Sequence, residues 1–135
     1  MKVLGNSNNG VDYFTILCPD KILLYQNTKL VLEVKKEDIV SIVLKEDYYL
    51  FTKKGNNNLF ARNLKGEEIF EYKMDQYQDI ELIKFINNTE MVIIRGYSVE
   101  KQTEELFIYD IESNKLFCKM PSEIRKGTLY DIAKK

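Results

Sequence analysis

Residues 58–72, NLFARNLKGEEIFEY, join two apolar runs through a turn at Gly66, and the outline returns at residues 105–120 as ELFIYDIESNKLFCKM. Short runs of Val, Ile, Leu, Phe and Tyr between polar turns predict β-hairpins rather than helices. The echo extends in both directions. Residues 39–44 match 80–85 at an offset of 41, residues 49–51 match 92–94 at 43, and residues 59–63 match 106–110 at 47. A slowly growing offset is what loop insertions leave in a repeat whose order is kept.

Eleven strands are expected, over residues 12–17, 22–26, 30–35, 39–44, 48–53, 59–63, 68–73, 80–86, 90–96, 106–110 and 115–119. They group into an all-β fold of antiparallel four-stranded units a little over 40 residues long, the period of propeller blades. One unit spans 39–74 and another 79–120. A partial unit at 11–36, turning at QNTK, lacks a first strand. Residues 121–135 are expected to cap one open face, completing a single β domain over 1–135.

The segments LFARNLKGEEIF (59–70) and LFIYDIESNKLF (106–117) resemble the β-propeller repeats of the WD40 and quinoprotein-like kind. In those repeats a third strand ends in Asp or Asn, and a turn leads to an apolar fourth strand. The chain has neither the Trp-Asp nor the Gly-His pair of WD40 blades. The resemblance implies a half-propeller of two and a half to three blades, where a closed ring takes typically four to eight. Uncovered blade faces and strand edges invite pairing with another chain. A scaffold, or a homodimer of about six blades, is one expectation.

The 135 residues suffice for a core without disulfides or metals, and 44% hydrophobic with 30% charged residues fits a globular chain. Residues 1–10 lack the apolar stretch of a signal peptide and no run approaches about 20 apolar residues, so a cytoplasmic, membrane-free protein is expected. Cys18 and Cys118 sit in apolar, strand-like contexts and are expected as buried, reduced thiols.

Histidine is absent, which removes Ser-His-Asp and Cys-His catalysis and imidazole metal ligation. No phosphate loop, dinucleotide fingerprint or Cys/His metal spacing occurs, and GNNN (55–58) is a hairpin turn by composition. No cofactor or metal is expected. Asp75, Asp79 and Glu81 could form a carboxylate pair of the glycosidase kind. Their place between two units instead predicts a solvated connection and a chain that is not an enzyme.

Charge separates the chain further. Residues 1–66 carry ten basic and seven acidic side chains, residues 67–112 four and twelve, and residues 113–135 six and two. An acidic middle of net −8 disfavours nucleic acid and favours a basic protein partner. The expected contact set is Glu67, Glu68, Glu71, Tyr72, Asp75, Tyr77, Asp79, Glu81, Tyr97, Glu100, Glu104 and Glu105, with 96–105 as an extended recognition loop. A small β protein with an acidic face looks like an immunity protein of a bacterial toxin system, such as contact-dependent growth inhibition. That resemblance implies tight binding to a cognate toxin, often a nuclease, whose basic active site is covered.

Overall fold

The structure, a computed structural model, describes residues 2–8 and 10–120. Three antiparallel sheets follow in chain order, each a simple meander. The first holds β1 (Lys2–Asn8), β2 (Val11–Leu17), β3 (Lys21–Gln26) and β4 (Lys29–Lys35). The second holds β5 (Ile39–Lys45), β6 (Tyr48–Lys53), β7 (Asn58–Asn63) and β8 (Glu68–Lys73). The third holds β9 (Tyr77–Phe85), β10 (Met91–Ser98), β11 (Thr103–Asp110) and β12 (Lys115–Lys119). The chain is an all-β, partial propeller, and no helix occurs among the described residues.

The first unit is complete, not partial. Its opening strand, KVLGNSN, pairs with β2 from Lys2↔Leu17 to Asn8↔Val11. Gly, Asn and Ser have low strand propensity, so composition conceals it. Backbone pairing to an apolar neighbour supplies what the side chains do not. The expected cap at 121–135 lies outside the described residues.

The echoing hairpins turn by the same chemistry. Asn63 Oδ1 accepts from the amides of Lys65 and Glu67 at 2.9 and 3.0 Å, and Gly66 takes φ +86°. In the third sheet Asp110 Oδ1 accepts from the Glu112 amide at 3.1 Å, and Asn114 takes the left-handed φ of +54°. A short side chain that replaces a backbone acceptor ends the third strand and aims the fourth.

The strands β1, β5 and β9 lie together along the inner side of the array. The outer strands β8 and β12 are largely exposed. The middle sheet is covered on both faces. Against the first sheet, Ile42, Leu44, Tyr49, Phe51 and Phe60 pack on Tyr13, Leu17, Ile22 and Leu24. Against the third, Val43, Leu50, Leu59 and Ala61 pack on Ile80, Leu82, Phe85, Val92, Ile94 and Phe107. Each aliphatic side chain removed from water in this way contributes about 1.5–3 kcal/mol.

Polar pins join the second and third sheets inside this core. Ser41 Oγ shares a 2.5 Å hydrogen bond with Thr52 Oγ1 and accepts from the Leu82 amide at 2.9 Å, satisfying a donor on the inner strand β9. The Lys45 ammonium, with its side chain 4% exposed, lies 3.0 Å from Glu90 and donates to the Thr89 carbonyl. It also sits 4.9 Å from the centre of the Phe85 ring. Tyr48 donates to Glu90 at 2.8 Å, and burial, reinforced by that carboxylate, pushes its phenol far above the ordinary range.

Both cysteines are free. Cys18 is half-buried and Cys118 is exposed, not buried, on β12, which has no further strand beside it among the described residues. Ser41→Ala leaves the buried Leu82 amide and Thr52 hydroxyl without their partner. It is expected to cost about 1–3 kcal/mol of unfolding free energy in urea titration. A loss below ~0.5 kcal/mol would show that this pin carries nothing.

Candidate binding site at the junction of the second and third sheets

The acidic run does not form one surface. The strand β8 carries it along the edge of the second sheet from the Glu67–Glu68 turn, and Asp75 follows at the opposite end, roughly 20 Å away at about 3.3 Å per residue. At the first end Glu67 accepts from Asn63 Nδ2 at 3.0 Å, while Glu68 is exposed. Along the strand Glu71 accepts from Asn58 Nδ2 at 2.5 Å. Tyr72 is half-buried, with its ring 4.1 Å from Phe70 and its hydroxyl donating to the Ile111 carbonyl at 3.1 Å.

The far end gathers the remaining residues. Asp75 and Gln76 form the connection into β9, and the register Tyr97↔Gln78, Ser98↔Tyr77, Tyr97↔Glu104 and Gly96↔Glu105 brings β9, β10 and β11 together there. Residues 96–105 are therefore not an extended loop. The strands β10 and β11 run on to Ser98 and Thr103, leaving a short turn closed by the Gln102 amide to the Ser98 carbonyl at 2.8 Å. Gly96, Tyr97 and Ser98 find ladder partners in Glu105, Glu104 and Thr103, so most of the added length becomes sheet.

Tyr77 organises this end. It is 4% exposed, and its ring stacks 4.3 Å from Phe107. Gly96 makes room for it, since a β-carbon there would stand 3.1 Å from the Tyr77 ring and 3.2 Å from Ile80. A glycine inside an apolar strand marks such a close approach. The Tyr77 hydroxyl donates to Glu105 at 3.1 Å; burial, then this carboxylate, pushes the phenol up to about 12. Lys101 and Lys119 lie 3.5 and 3.6 Å from Glu105. Burial works to raise the Glu105 carboxyl, but the Tyr77 hydrogen bond and the two ammonium groups outweigh it and hold the group below its ordinary value.

A cleft of about 340 Å³ opens beside Tyr77, lined by Lys73, Met74, Asp75, Phe107, Tyr109 and Lys115 among others. A second, of about 250 Å³, shares Gln76 and Tyr77 with it and reaches Val99, Glu100 and Lys119. Burial raises the Tyr109 phenol, which hydrogen-bonds Asn114. Asp75, Asp79, Glu100 and Glu104 are exposed and make no ion pair among the described residues, whereas Glu81 is bound by Arg95 at 2.6 Å. Tyr97 is half-buried. The sequence points to the acids and aromatics here but misses Gly96, Lys101 and Lys119, which position them.

No protein-family model and no curated protein matches the chain. Among solved structures, the WD40 domain of coronin from Toxoplasma gondii superposes with a TM-score of 0.52 at 12% identity. The match covers 84% of this chain and 31% of that one. The likeness is one of fold, and this chain spans less than a third of the length of that one.

Two titrations check the Tyr77 arrangement. A phenol raised above its unfolded value stabilises the fold fully below pH 10, and the contribution disappears as pH rises towards about 12. A depressed carboxyl such as Glu105 stabilises above its unfolded value of 4.5 and loses that contribution as pH falls through its folded value. In tyrosine-labelled NMR titration, Glu105→Gln is expected to move the Tyr77 ionisation downward. An unchanged midpoint would remove the carboxylate from the cause.

Proposed function

We propose that the chain is a non-enzymatic protein-interaction module that presents the acid-rich end of its third sheet to a basic partner. The observation carrying this reading is the pair of adjoining clefts at the sheet junction, where Asp75, Glu100 and the 47% exposed Val99 stand beside Lys73, Lys115 and Lys119, with Glu104 exposed on the neighbouring strand. Exposed charged side chains around an apolar contact resemble the polar rim and apolar centre of protein interfaces. Tyr77 takes a different part from the one its residue type suggests. Being buried, it shapes the rim and does not insert into a partner.

A partial propeller supports the reading in a second way. Rigid sheets hold short turns in fixed positions, and the hairpin at 99–102 projects from such a frame. The finer reading, an immunity protein that covers a basic cognate toxin, rests on the acidic rim alone. A general interaction or scaffolding role has the support of the fold as well.

The test uses wild-type chain and a triple charge reversal, Asp75→Lys, Glu100→Lys and Glu104→Lys, as baits in extract from the source organism. Quantitative mass spectrometry is expected to find a basic protein retained by the wild type at low salt and reduced at least tenfold with the variant. Rim charges act mainly through encounter rate, so retention should also fall steeply with ionic strength. Retention of the same partners by both baits overturns the proposal. Protection by co-expression against a recovered toxic partner would support the finer reading.

A further inference from the structure

The first two sheets each turn one face to the sheet that follows in the chain. The first meets Ile42, Leu44 and Phe51 of the second, and the second meets Ile80, Leu82 and Phe85 of the third. The third sheet has such a face as well. Val92, Ile94 and Phe107 point back into the core shared with the second sheet, and the alternate residues Ile93 and Ile108 point the other way. There they cluster with Ile86 and Met120, while Ile83, Met91 and Leu106 are half-buried around them. Every member belongs to the third sheet or adjoins one of its strands, so no other sheet contributes to this cluster among the described residues.

We infer that residues 121–135 pack on this face, with Ile132 seated among Ile86, Ile93 and Ile108. The chain itself leads there. Met120, at the end of the described residues, donates its amide to the Leu106 carbonyl at 2.8 Å, and its side chain, 8% exposed, already belongs to the cluster. Residues 121–135 continue from that point. The two earlier junctions identify the anchor. After β4 the sequence reads Asp38-Ile39, after β8 Asp79-Ile80 and after β12 Asp131-Ile132. Ile39 is 2% exposed in the core shared with the first sheet, and Ile80 is 3% exposed in the core shared with the second. Each isoleucine thus seats on the sheet just completed. The same dipeptide at 110–111 closes a third strand, so the place after a fourth strand, together with the dipeptide, makes the assignment.

Length, apolar content and charge agree with this seat. The segment spans about 22 Å as a helix and more when extended, against about 19 Å across four strands. Ile124, Leu129 and Tyr130 offer further apolar surface for the half-buried flanks at Ile83, Met91 and Leu106. Residues 77–119 hold eight acidic and five basic side chains, whereas residues 121–135 hold two and four. A net positive segment therefore meets a net negative sheet. Seated here, it occupies the surface on which a further blade, or a neighbouring molecule in a head-to-tail array, would pack. The clefts of the proposed partner site open beside Tyr77 and Phe107 on the other side of the third sheet, so this inference and that reading can fail independently.

The test uses the full chain, with isoleucine methyls labelled for NMR and a nitroxide on the native Cys118 in a Cys18→Ser background. Cys118 is exposed and pairs with Ile108 across the strands, which places the label beside the proposed seat. The Ile132 methyl signal is expected to lose at least half its intensity relative to the sample with reduced label. Amide exchange over 129–133 is expected to be at least about tenfold slower than unstructured rates. Ile132→Asp, which alters no residue of the three sheets, should abolish that protection. It should also lower the melting temperature by several degrees while leaving the circular dichroism spectrum close to wild type. An Ile132 signal at full intensity overturns the inference, as does exchange of 129–133 at unstructured rates in the wild type. A melting temperature unmoved by Ile132→Asp overturns it equally.

Discussion

The three inner strands of the middle sheet, β5 to β7, have almost no face left for water, and the rest of the molecule is arranged to satisfy that condition. A sheet buried on both sides cannot alternate apolar and polar residues, and IVSIVLK, YYLFTK and NLFARN do not. It needs a neighbour on each side, which the first and third sheets provide. It also leaves no solvent for polar atoms within it. Ser41, Thr52 and Lys45 are therefore tied to partners, two of them reaching residues of the third sheet. An unpaired ammonium at the depth of Lys45 would be far more costly than the ion pair that holds it.

The same layering explains why the acidic run behaves as two features. An antiparallel outer strand carries successive residues from one end of a sheet to the other, so neighbours in sequence part company in space. Glu67 and Glu71 are absorbed by asparagines of the adjoining strand, and Glu81 by Arg95. What remains near Tyr77 is a small cluster. Its geometry depends on a missing β-carbon at Gly96 and on Glu105 being held ionised between a phenol and two lysines.

Most of the strand pattern was legible in the sequence because the turns are chemically explicit. Asn63, Asp110, Gly66 and Asn114 each favour a conformation that ends one strand and begins another. The strand β1 was hidden because GNSN has the composition of a loop, and only pairing with β2 makes it a strand. The stretch 96–105 misled in the opposite way. An insertion lengthens a loop or the strands beside it, and the polar residues of EKQTEE do not distinguish the two. Burial of Tyr77 was invisible for a related reason: its cover comes from Phe107 and from Gly96 on the neighbouring strands, and sequence gives no cross-strand register.

Each sheet here is made from contiguous chain, whereas the links between sheets span a blade length, as in Ser41 to Leu82 and Lys45 to Glu90. During synthesis the second sheet thus becomes complete before the surface that covers it exists. At about 5–20 residues per second, the third sheet follows a few seconds later. For that interval Val43, Leu50 and Leu59 face the surroundings of the ribosome with nothing of their own chain to meet. The order of the blades along the polypeptide makes nascent-chain exposure a built-in stage in the life of this protein, and gives chaperones a defined apolar surface to hold.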